Sequence, residues 1–426
     1  MARQPEGGGR RSRLRRNDFQ QRDHGFRPDC GGERGPAARC GAGSLHNQPV
    51  LRWRGHDGSV DHCVEHRQDL QDPVAASRPS LGSPMLTAAE DDSRLAEKLV
   101  EALYRPDGSR ALRPVHALGI GATGTFVASR IASDFCVAEH FSGEPITTTV
   151  RFSNGSGCAT AHDGWSDVRG MATRFHLADA AATDLVAMTL PEFFTATPEA
   201  FLDFAAAARP APYKGESVWR KLRALLRLEL PLRNPYPGET ISPDSGAIAF
   251  ADVHPNARLA VFGAAAIGAP LSYVRASYHA VHTFVVTGKD GTRRHVRFSW
   301  QPIAGVANTN KSETPVDSYL LAELRTRLEK GSDRFSLVMT IGETGDAFDD
   351  PTRPWPPHRV RIVMGTMTIE AVADDQAEAS ERLSFNPWLL VHGMEASDDP
   401  VLRVRKEAYK ISSARRGGAP CPFAGG

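Results

Sequence analysis

The sequence predicts an α+β protein in which an antiparallel β-barrel of about eight strands carries attached α-helices. Short stretches rich in β-branched and aromatic residues follow one another along the chain and are broken by glycine turns. Helical patterns occur between some of these stretches, but they do not alternate regularly with them as the helices of a parallel α/β sheet do. Successive strands without regular crossovers therefore favour antiparallel pairing and a closed sheet.

The strand stretches fall into three groups. The first group contains "RPVHALGIGATGTFVAS", "ITTTVRFSNG", "RGMATRFHLA" and "TDLVAMTL". The second is a hairpin, "SYHAVHTFVVTGKDGTRRHVRFSWQP", whose "KDG" is typical of a tight turn. The last two strands are "FSLVMTIG" and "HRVRIVMGTMTIEAV".

Helices are predicted where apolar residues recur at intervals of three and four. These stretches are "LTAAEDDSRLAEKLVEALY", "PEAFLDFAAAA", "ESVWRKLRALLRL" and "PVDSYLLAELRTRLEK". Near the C-terminus, "RVRKEAYKISSARR" is rich in helix-forming residues.

The composition changes at about residue 85. Residues 1–84 carry many arginines and no lysine, cluster glycine and proline, and show no sustained period. Three interpretations stay open for this segment: a disordered tail, a basic arm for nucleic acid, or a start codon assigned too early. Residues 85–426 are expected to form a single domain.

Global charge indicates no polyanionic partner, because the formal net charge is only +1. We expect no nucleic-acid or membrane partner, and we leave the choice between monomer and homo-oligomer open. The chain has no apolar run of 18 residues, and its six cysteines are scattered without a CxxC pair. A cytoplasmic protein with reduced thiols is the simplest expectation.

Arg405 and Tyr409 stand four residues apart in the C-terminal helix pattern, so they share one face and the guanidinium can reach the phenol oxygen. A neighbouring arginine favours the phenolate form, which is the form that binds a ferric ion. The alternative is a solvated basic helix face with a half-buried tyrosine.

Two upstream stretches carry groups for another side of the same ligand. Arg113 and His116 lie in "RPVHALG", where regular strand alternation places them on opposite faces. Arg151 and Ser153 share a face of the next strand. Together with Arg416, the two arginines could pair with carboxylates on a planar cofactor.

Taken together, these segments resemble the catalase family, and specifically its shorter branch of catalase-related peroxidases. The motifs run in order from "RPVHALG" through "TVRFSNGSG", "SDVRGMATRF", "TDLVAMTLPEFF", "VHTFVV" and "LSFNPW" to "SDDPVLRVRKEAYKISSARR". The resemblance implies haem b, buried between a catalase-like barrel and its helices, with Tyr409 as the axial iron ligand.

The resemblance also implies a role for each matching residue. Arg405 would hydrogen-bond the Tyr409 oxygen, backed by His282 and Asp399. On the other haem face His116 would be the catalytic histidine, with Ser153 as its partner. The propionate-binding residues would be Arg113, Arg151 and Arg416, and the ring would pack against Val115, Phe194 and Phe201.

One departure from the family bears on activity. Typical catalases carry a distal asparagine, and alignment on the flanking residues places Thr189 at that position. Because a hydroxyl lacks the reach of an amide, we expect poor positioning of a second peroxide. The prediction is a peroxidase that reduces hydrogen peroxide or organic hydroperoxides with a small organic electron donor, with weak catalase activity. The alternatives are a fatty-acid hydroperoxide isomerase or dehydratase, and a non-catalytic haem-binding protein.

Overall fold

The computed structural model describes residues 88–104, 111–157, 159, 162–164, 167–208, 246–309 and 318–417. All of them lie in one compact unit that runs from Pro79 to Gly426. The predicted domain boundary near residue 85 and the helix predicted for "ESVWRKLRALLRL" lie outside the described residues.

Eight antiparallel strands form a closed barrel, which confirms the predicted fold class. They are β1 (Gly119–Ala128), β2 (Ile146–Asn154), β3 (Arg169–His176), β4 (Ala182–Met188), β5 (Tyr278–Thr287), β6 (Arg293–Pro302), β7 (Asp333–Ile341) and β8 (Arg361–Val372). The spatial order is β4-β3-β2-β1-β8-β7-β6-β5. A bridge between Met188 and His279 closes the barrel, and a short strand, β9 (Met394–Ala396), pairs with β5.

Alternate residues of these strands fill the barrel interior with aromatic rings. Phe126, Phe152, Phe335 and Trp300 are at most 2% exposed. The rings meet at angles, as between Phe126 and Trp300, whose centroids lie 6.1 Å apart with planes 83° apart. Burying each such side chain contributes about 1.5–3 kcal/mol. The interior is therefore solid core, and the space for a ligand lies on the outer face of the strands.

Helices cover the outside of the barrel. They are α1 (Ala88–Leu103), α2 (Ala132–Phe135), α3 (Pro198–Ala207), α4 (Gly246–Val253), α5 (Arg258–Ala266), α6 (Tyr319–Lys330) and α7 (Pro400–Arg415), with a π-helix at Ala377–Arg382. The structure confirms the predictions for α1, α3, α6 and α7, whereas the sequence analysis did not predict α4, α5 or the π-helix. No helix among the described residues is long and apolar enough to span a bilayer.

The segment "RPVHALG" is not a strand, which corrects the sequence-based expectation. β1 begins only at Gly119, and His116 adopts a left-handed conformation with φ +56°. The backbone N–H groups of His116 and Ala117 instead donate to the carbonyl oxygens of Gly155 and Ser156, both at 3.1 Å. Because this turn breaks the strand alternation, Arg113 and His116 line the same cavity rather than opposite faces.

Candidate active site

A cavity of about 530 Å³ lies between the outer face of β2, β3 and β4 and the helices α1, α3 and α7. Apolar side chains of α1 and α3 line one part of it, including Leu99, Leu103 and Phe204. Residues far apart in the sequence meet here: His116 and Tyr409 both line the cavity.

On the α7 side of the cavity, four side chains form a continuous hydrogen-bonded relay that ends at Tyr409. Arg405 Nη2 donates to Tyr409 Oη at 2.7 Å, and Arg405 Nη1 lies 2.6 Å from His282 Nε2. His282 Nδ1 lies 2.5 Å from Asp399 Oδ2. Burial lowers the pKa of His282, and the neighbouring Asp399 opposes that shift. A neutral His282 accepts from Arg405 at Nε2 and donates to Asp399 from Nδ1.

Local sequence explains how α7 presents these groups. Asp399 caps the helix, since its Oδ1 accepts from the backbone N–H groups of Val401 at 2.8 Å and Leu402 at 3.2 Å. Pro400 occupies the first turn, where it does not interrupt the helix hydrogen bonds. Arg405, Tyr409 and Arg416 then recur on the helix side that lines the cavity. The Asp399 carboxylate thus both caps α7 and forms the end of the relay opposite Tyr409.

A register irregularity in β5 brings His282 into the relay. Ala280 pairs with Phe298 of β6, and Phe284 pairs with Val296. β5 therefore runs four residues over a stretch in which β6 runs only two, which is a bulge in β5. His282 is 2% exposed, and its ring lies 5.7 Å from that of Phe193.

On the barrel side, His116 packs against β3 and hydrogen-bonds to β2. Its Nδ1 lies 3.0 Å from Ser153 Oγ. Gly170 of β3 allows this approach, because a Cβ atom there would lie 2.8 Å from His116 Nδ1 and 2.7 Å from Ser153 Oγ. Burial and, to a smaller extent, the charges of Arg151, Arg405 and Arg113 together lower the pKa of His116 to about 3. The imidazole is therefore neutral at physiological pH.

Three arginines converge on the π-helix at the edge of the cavity. Arg151 Nε donates to Ser380 O at 2.7 Å, and Arg113 Nη2 donates to the same oxygen at 2.9 Å. Arg416 Nη1 donates to Glu381 O at 2.7 Å. Burial lowers the pKa of all three: that of Arg113 falls well below its ordinary value, and that of Arg151 falls to about 10. The sequence analysis placed these arginines near one another, and the structure does bring them together.

The three residues expected to pack against a cofactor ring also line the cavity: Val115, Phe194 and Phe201. Phe194 stacks on Phe204 with centroids 4.9 Å apart, and Phe201 meets Phe193 edge-on at 5.0 Å. These contacts fix the orientation of the rings.

Thr189 does not line the cavity, which corrects its assignment to the distal pocket. Its Oγ1 accepts from Arg169 N at 3.0 Å. The side chain directed to the cavity is the preceding one, Met188, which pairs with Gly170 across β3 and β4. Gly170 in turn pairs with Ser153 of β2. Met188, Gly170 and Ser153 are therefore neighbours across three strands, and the His116 ring packs on Gly170 beside Ser153.

Two acidic residues that the sequence analysis did not single out belong to the site. Asp167 lines the cavity, accepts from Ser156 N at 3.0 Å, and has its pKa raised by burial. Glu381 lies on the π-helix with Oε1 3.8 Å from Arg151 Nη2. Asp167 lies within the motif "SDVRGMATRF" and Glu381 lies in none of the quoted motifs, and the sequence alone assigned a role to neither.

These residues fit a haem group on two counts. Three arginines and one glutamate give the edge cluster a formal charge of +2, which two propionates neutralise. Arg113 Nε is buried without a hydrogen-bond partner among the described atoms, and can donate to one of them.

Comparison with known proteins identifies the family. The family model for catalase matches residues 95–221 and 237–421. The catalase-related peroxidase of Mycolicibacterium paratuberculosis is 31% identical over 330 residues, covering 76% of this chain and 95% of that protein. The catalase-related peroxidase of Synechococcus elongatus is 29% identical over 303 residues, covering 71% and 82%. Catalase-2 of Bacillus subtilis is 26% identical over 337 residues, covering 73% and 46%. The resemblance predicted from the motifs is thus confirmed, and the chain belongs to the catalase family of oxidoreductases that act on peroxide.

Proposed function

We propose that this protein is a haem-dependent peroxidase that reduces hydrogen peroxide or organic hydroperoxides with a small organic electron donor. The observation that carries the proposal is the relay from Asp399 through His282 and Arg405 to Tyr409, which shares one cavity with the His116–Ser153 pair. A basic residue that hydrogen-bonds the phenol oxygen and a neutral histidine in the same cavity are the two protein groups such chemistry requires.

The cofactor in this proposal is haem b, held by residues that are far apart in the sequence. Tyr409 would be the axial ligand, and Arg113, Arg151 and Arg416 would pair with the propionates. Val115, Phe194 and Phe201 would pack against the ring. We further propose that residues 85–426 form a single haem-binding domain and that the protein is cytoplasmic, both on sequence grounds.

The protein residues divide the chemistry between two sides of the cavity. When bound, haem supplies the redox centre that accepts oxidising equivalents from peroxide and passes them to the donor. Arg405 donates a hydrogen bond to the Tyr409 oxygen, and the relay to Asp399 holds Arg405 in place. His116 takes the proton of the peroxide at Nε2 and returns it to the departing oxygen, while Ser153 holds Nδ1.

Met188 favours peroxidase over efficient dismutation of peroxide. Met188 lines the cavity and pairs with Gly170, on which the His116 ring packs, and its side chain has no N–H or O–H donor. A second peroxide therefore lacks the hydrogen bond that an amide at this place would provide, and its oxidation depends on tight orientation. An organic donor that transfers electrons without such orientation is affected less.

The test is an assay of the haem-loaded protein with hydrogen peroxide, with and without an aromatic amine donor. We expect peroxide consumption to depend on the donor and to exceed twice the oxygen release, because dismutation consumes two peroxides for each O2 released. Oxygen release at the same rate without the donor would indicate a catalase instead.

Two further assays address the alternatives. A fatty-acid hydroperoxide that rearranges without any donor would indicate an isomerase or dehydratase. Haem uptake without turnover of any peroxide would indicate a non-catalytic haem-binding protein.

A further inference from the structure

We propose that Glu381 is an internal competitor of the haem carboxylates: it neutralises part of the arginine cluster in the haem-free protein and weakens haem binding. The inference rests on the proposed function, because it takes Arg113, Arg151 and Arg416 as the residues that receive the propionates. It assigns a role to an acidic side chain that neither the motifs nor the family resemblance singles out.

Glu381 lies on the π-helix and faces the arginines with both its backbone carbonyl and its side chain. Its carbonyl oxygen accepts from Arg416 Nη1 at 2.7 Å. Its carboxylate Oε1 accepts from Ser380 Oγ at 2.8 Å and lies 3.8 Å from Arg151 Nη2. Arg151 Nε binds the same serine through both its carbonyl and its hydroxyl, at 2.7 and 3.2 Å. These backbone and side-chain contacts hold the Glu381 carboxylate beside the three arginines.

Glu381 is the carboxylate that acts on all three arginines. Burial and mutual repulsion lower the pKa of Arg113, while the charge of Glu381 opposes this. The same carboxylate opposes the lowering of the pKa of Arg151 and of Arg416 by burial. Without it, three guanidinium groups at the cavity edge would repel one another with no carboxylate among them, and the haem-free protein would lose stability.

The same carboxylate opposes a bound dianion. Two propionates that enter the cluster meet three positive charges and one negative charge, so the glutamate repels them and competes for Arg151. The Glu381 side chain is 43% exposed, so it can turn toward solvent when another carboxylate replaces it. The two effects have opposite signs: Glu381 stabilises the haem-free state and destabilises the haem-bound state relative to it.

The substitution Glu381→Gln separates this role from a merely structural one. We expect the haem-free variant to have a lower Tm, and its Kd for haem to fall roughly fivefold, the scale of one partly exposed ion pair. If Glu381 only supported the fold, its substitution would lower both the stability of the protein and its affinity for haem. Glu381→Asp, which keeps the charge, is expected to retain a haem affinity close to that of the unsubstituted protein.

Glu378→Gln is the matched control on the same π-helix. Glu378 is exposed and its Oε2 accepts from Arg382 Nε at 2.9 Å, away from the three arginines. We expect its substitution to leave the haem Kd unchanged. Haem dimethyl ester is the matched ligand, because it has no carboxylates: Glu381→Gln is expected to leave its Kd unchanged. Glu381→Ala, which also removes the charge, serves the same comparison if the glutamine variant does not fold.

The readout is titration of the haem-free protein with haem by absorbance, together with its thermal melt. An unchanged or raised haem Kd in Glu381→Gln, or equal tightening of the dimethyl ester, would overturn the inference and leave the proposed function standing. Failure of the unsubstituted protein to take up haem would refute the proposed function, and the inference with it.

Discussion

Arg405 donates a 2.7 Å hydrogen bond to Tyr409 one helical turn away, and its other terminal nitrogen contacts the buried His282 at 2.6 Å. The guanidinium centre also lies 5.5 Å from the centre of the Phe193 ring and 5.3 Å from that of Tyr409. Arg405 is therefore fixed by contacts from α7, β5 and the segment before α3. The groups that contact the phenol oxygen thus lie on the α7 side of the cavity, and His116 lies on the barrel side with Ser153.

Asp399→Asn tests whether the end of the relay affects the chemistry. Asparagine caps a helix about as well as aspartate, so α7 is expected to keep its helicity. The amide cannot supply the negative charge that His282 meets at 2.5 Å, and we expect kcat for donor oxidation to fall about 10–100-fold. Steady-state assays and circular dichroism measure the two effects. An unchanged kcat would show that the charge of Asp399 does not contribute to the chemistry through the relay.

Gly170→Ala tests the close packing of His116 on β3. The added methyl group would lie within 2.9 Å of the His116 ring and Ser153 Oγ, so the ring has to move. We expect the variant to lose most of the roughly 10²–10⁴-fold contribution of a general base. In a His116→Ala background the same substitution is expected to cost little more, because the ring it displaces is gone. Equal losses in both backgrounds would mean that the alanine acts elsewhere.

Met188→Asn tests which residue of β4 limits dismutation. An amide at this position places an N–H donor in the cavity, so we expect oxygen release from peroxide to rise relative to donor oxidation. Thr189→Asn is the control, since the Thr189 side chain bonds the backbone of Arg169 instead of lining the cavity. An oxygen electrode distinguishes the variants. A rise in Thr189→Asn but not in Met188→Asn would restore the sequence-based assignment.

His140 provides a test of pH-dependent stability that is independent of the cofactor. It lies in the barrel interior between Phe141 and Phe175, and burial lowers its pKa to about 3. Unfolding returns the pKa to about 6.5, so the unfolded chain binds a proton that the folded one does not, and stability falls as pH drops below about 6.5.

Replacing His140 with phenylalanine removes this proton uptake. We expect the free energy of unfolding of His140→Phe, relative to the unsubstituted protein, to increase by about 2 kcal/mol between pH 7.5 and pH 5. Denaturant unfolding at both pH values measures the difference. A difference between the two proteins that does not change with pH would show that the pKa of His140 is the same in the folded and the unfolded chain.

Sequence patterns predicted the parts of the site that depend on local spacing. Arg405 and Tyr409 lie four apart on a helix, and Arg151 and Ser153 lie two apart on a strand, so their common faces follow from helix and strand geometry alone. The barrel followed in the same way from successive strands without regular crossovers. Such features need no knowledge of which distant segment packs against them.

The remaining features depend on tertiary contacts. The left-handed turn at His116 forms because residues 116 and 117 bond the loop after β2. The π-helix is held by arginines from three distant segments. The choice between Met188 and Thr189 depends on which face of β4 meets the cavity, and a shift of one residue along a strand reverses that face. None of these contacts leaves a periodic signal in the sequence.

The absorption spectrum of the haem-loaded protein, compared with that of Tyr409→Phe, tests the central claim most directly. Phenylalanine removes only the oxygen that Arg405 contacts, so we expect the fold and the cluster of Arg113, Arg151 and Arg416 to be retained. We predict a ferric tyrosinate spectrum for the unsubstituted protein, and loss of most bound haem or of the tyrosinate features in the variant. An identical spectrum in both proteins would contradict the assignment of Tyr409 as the iron ligand.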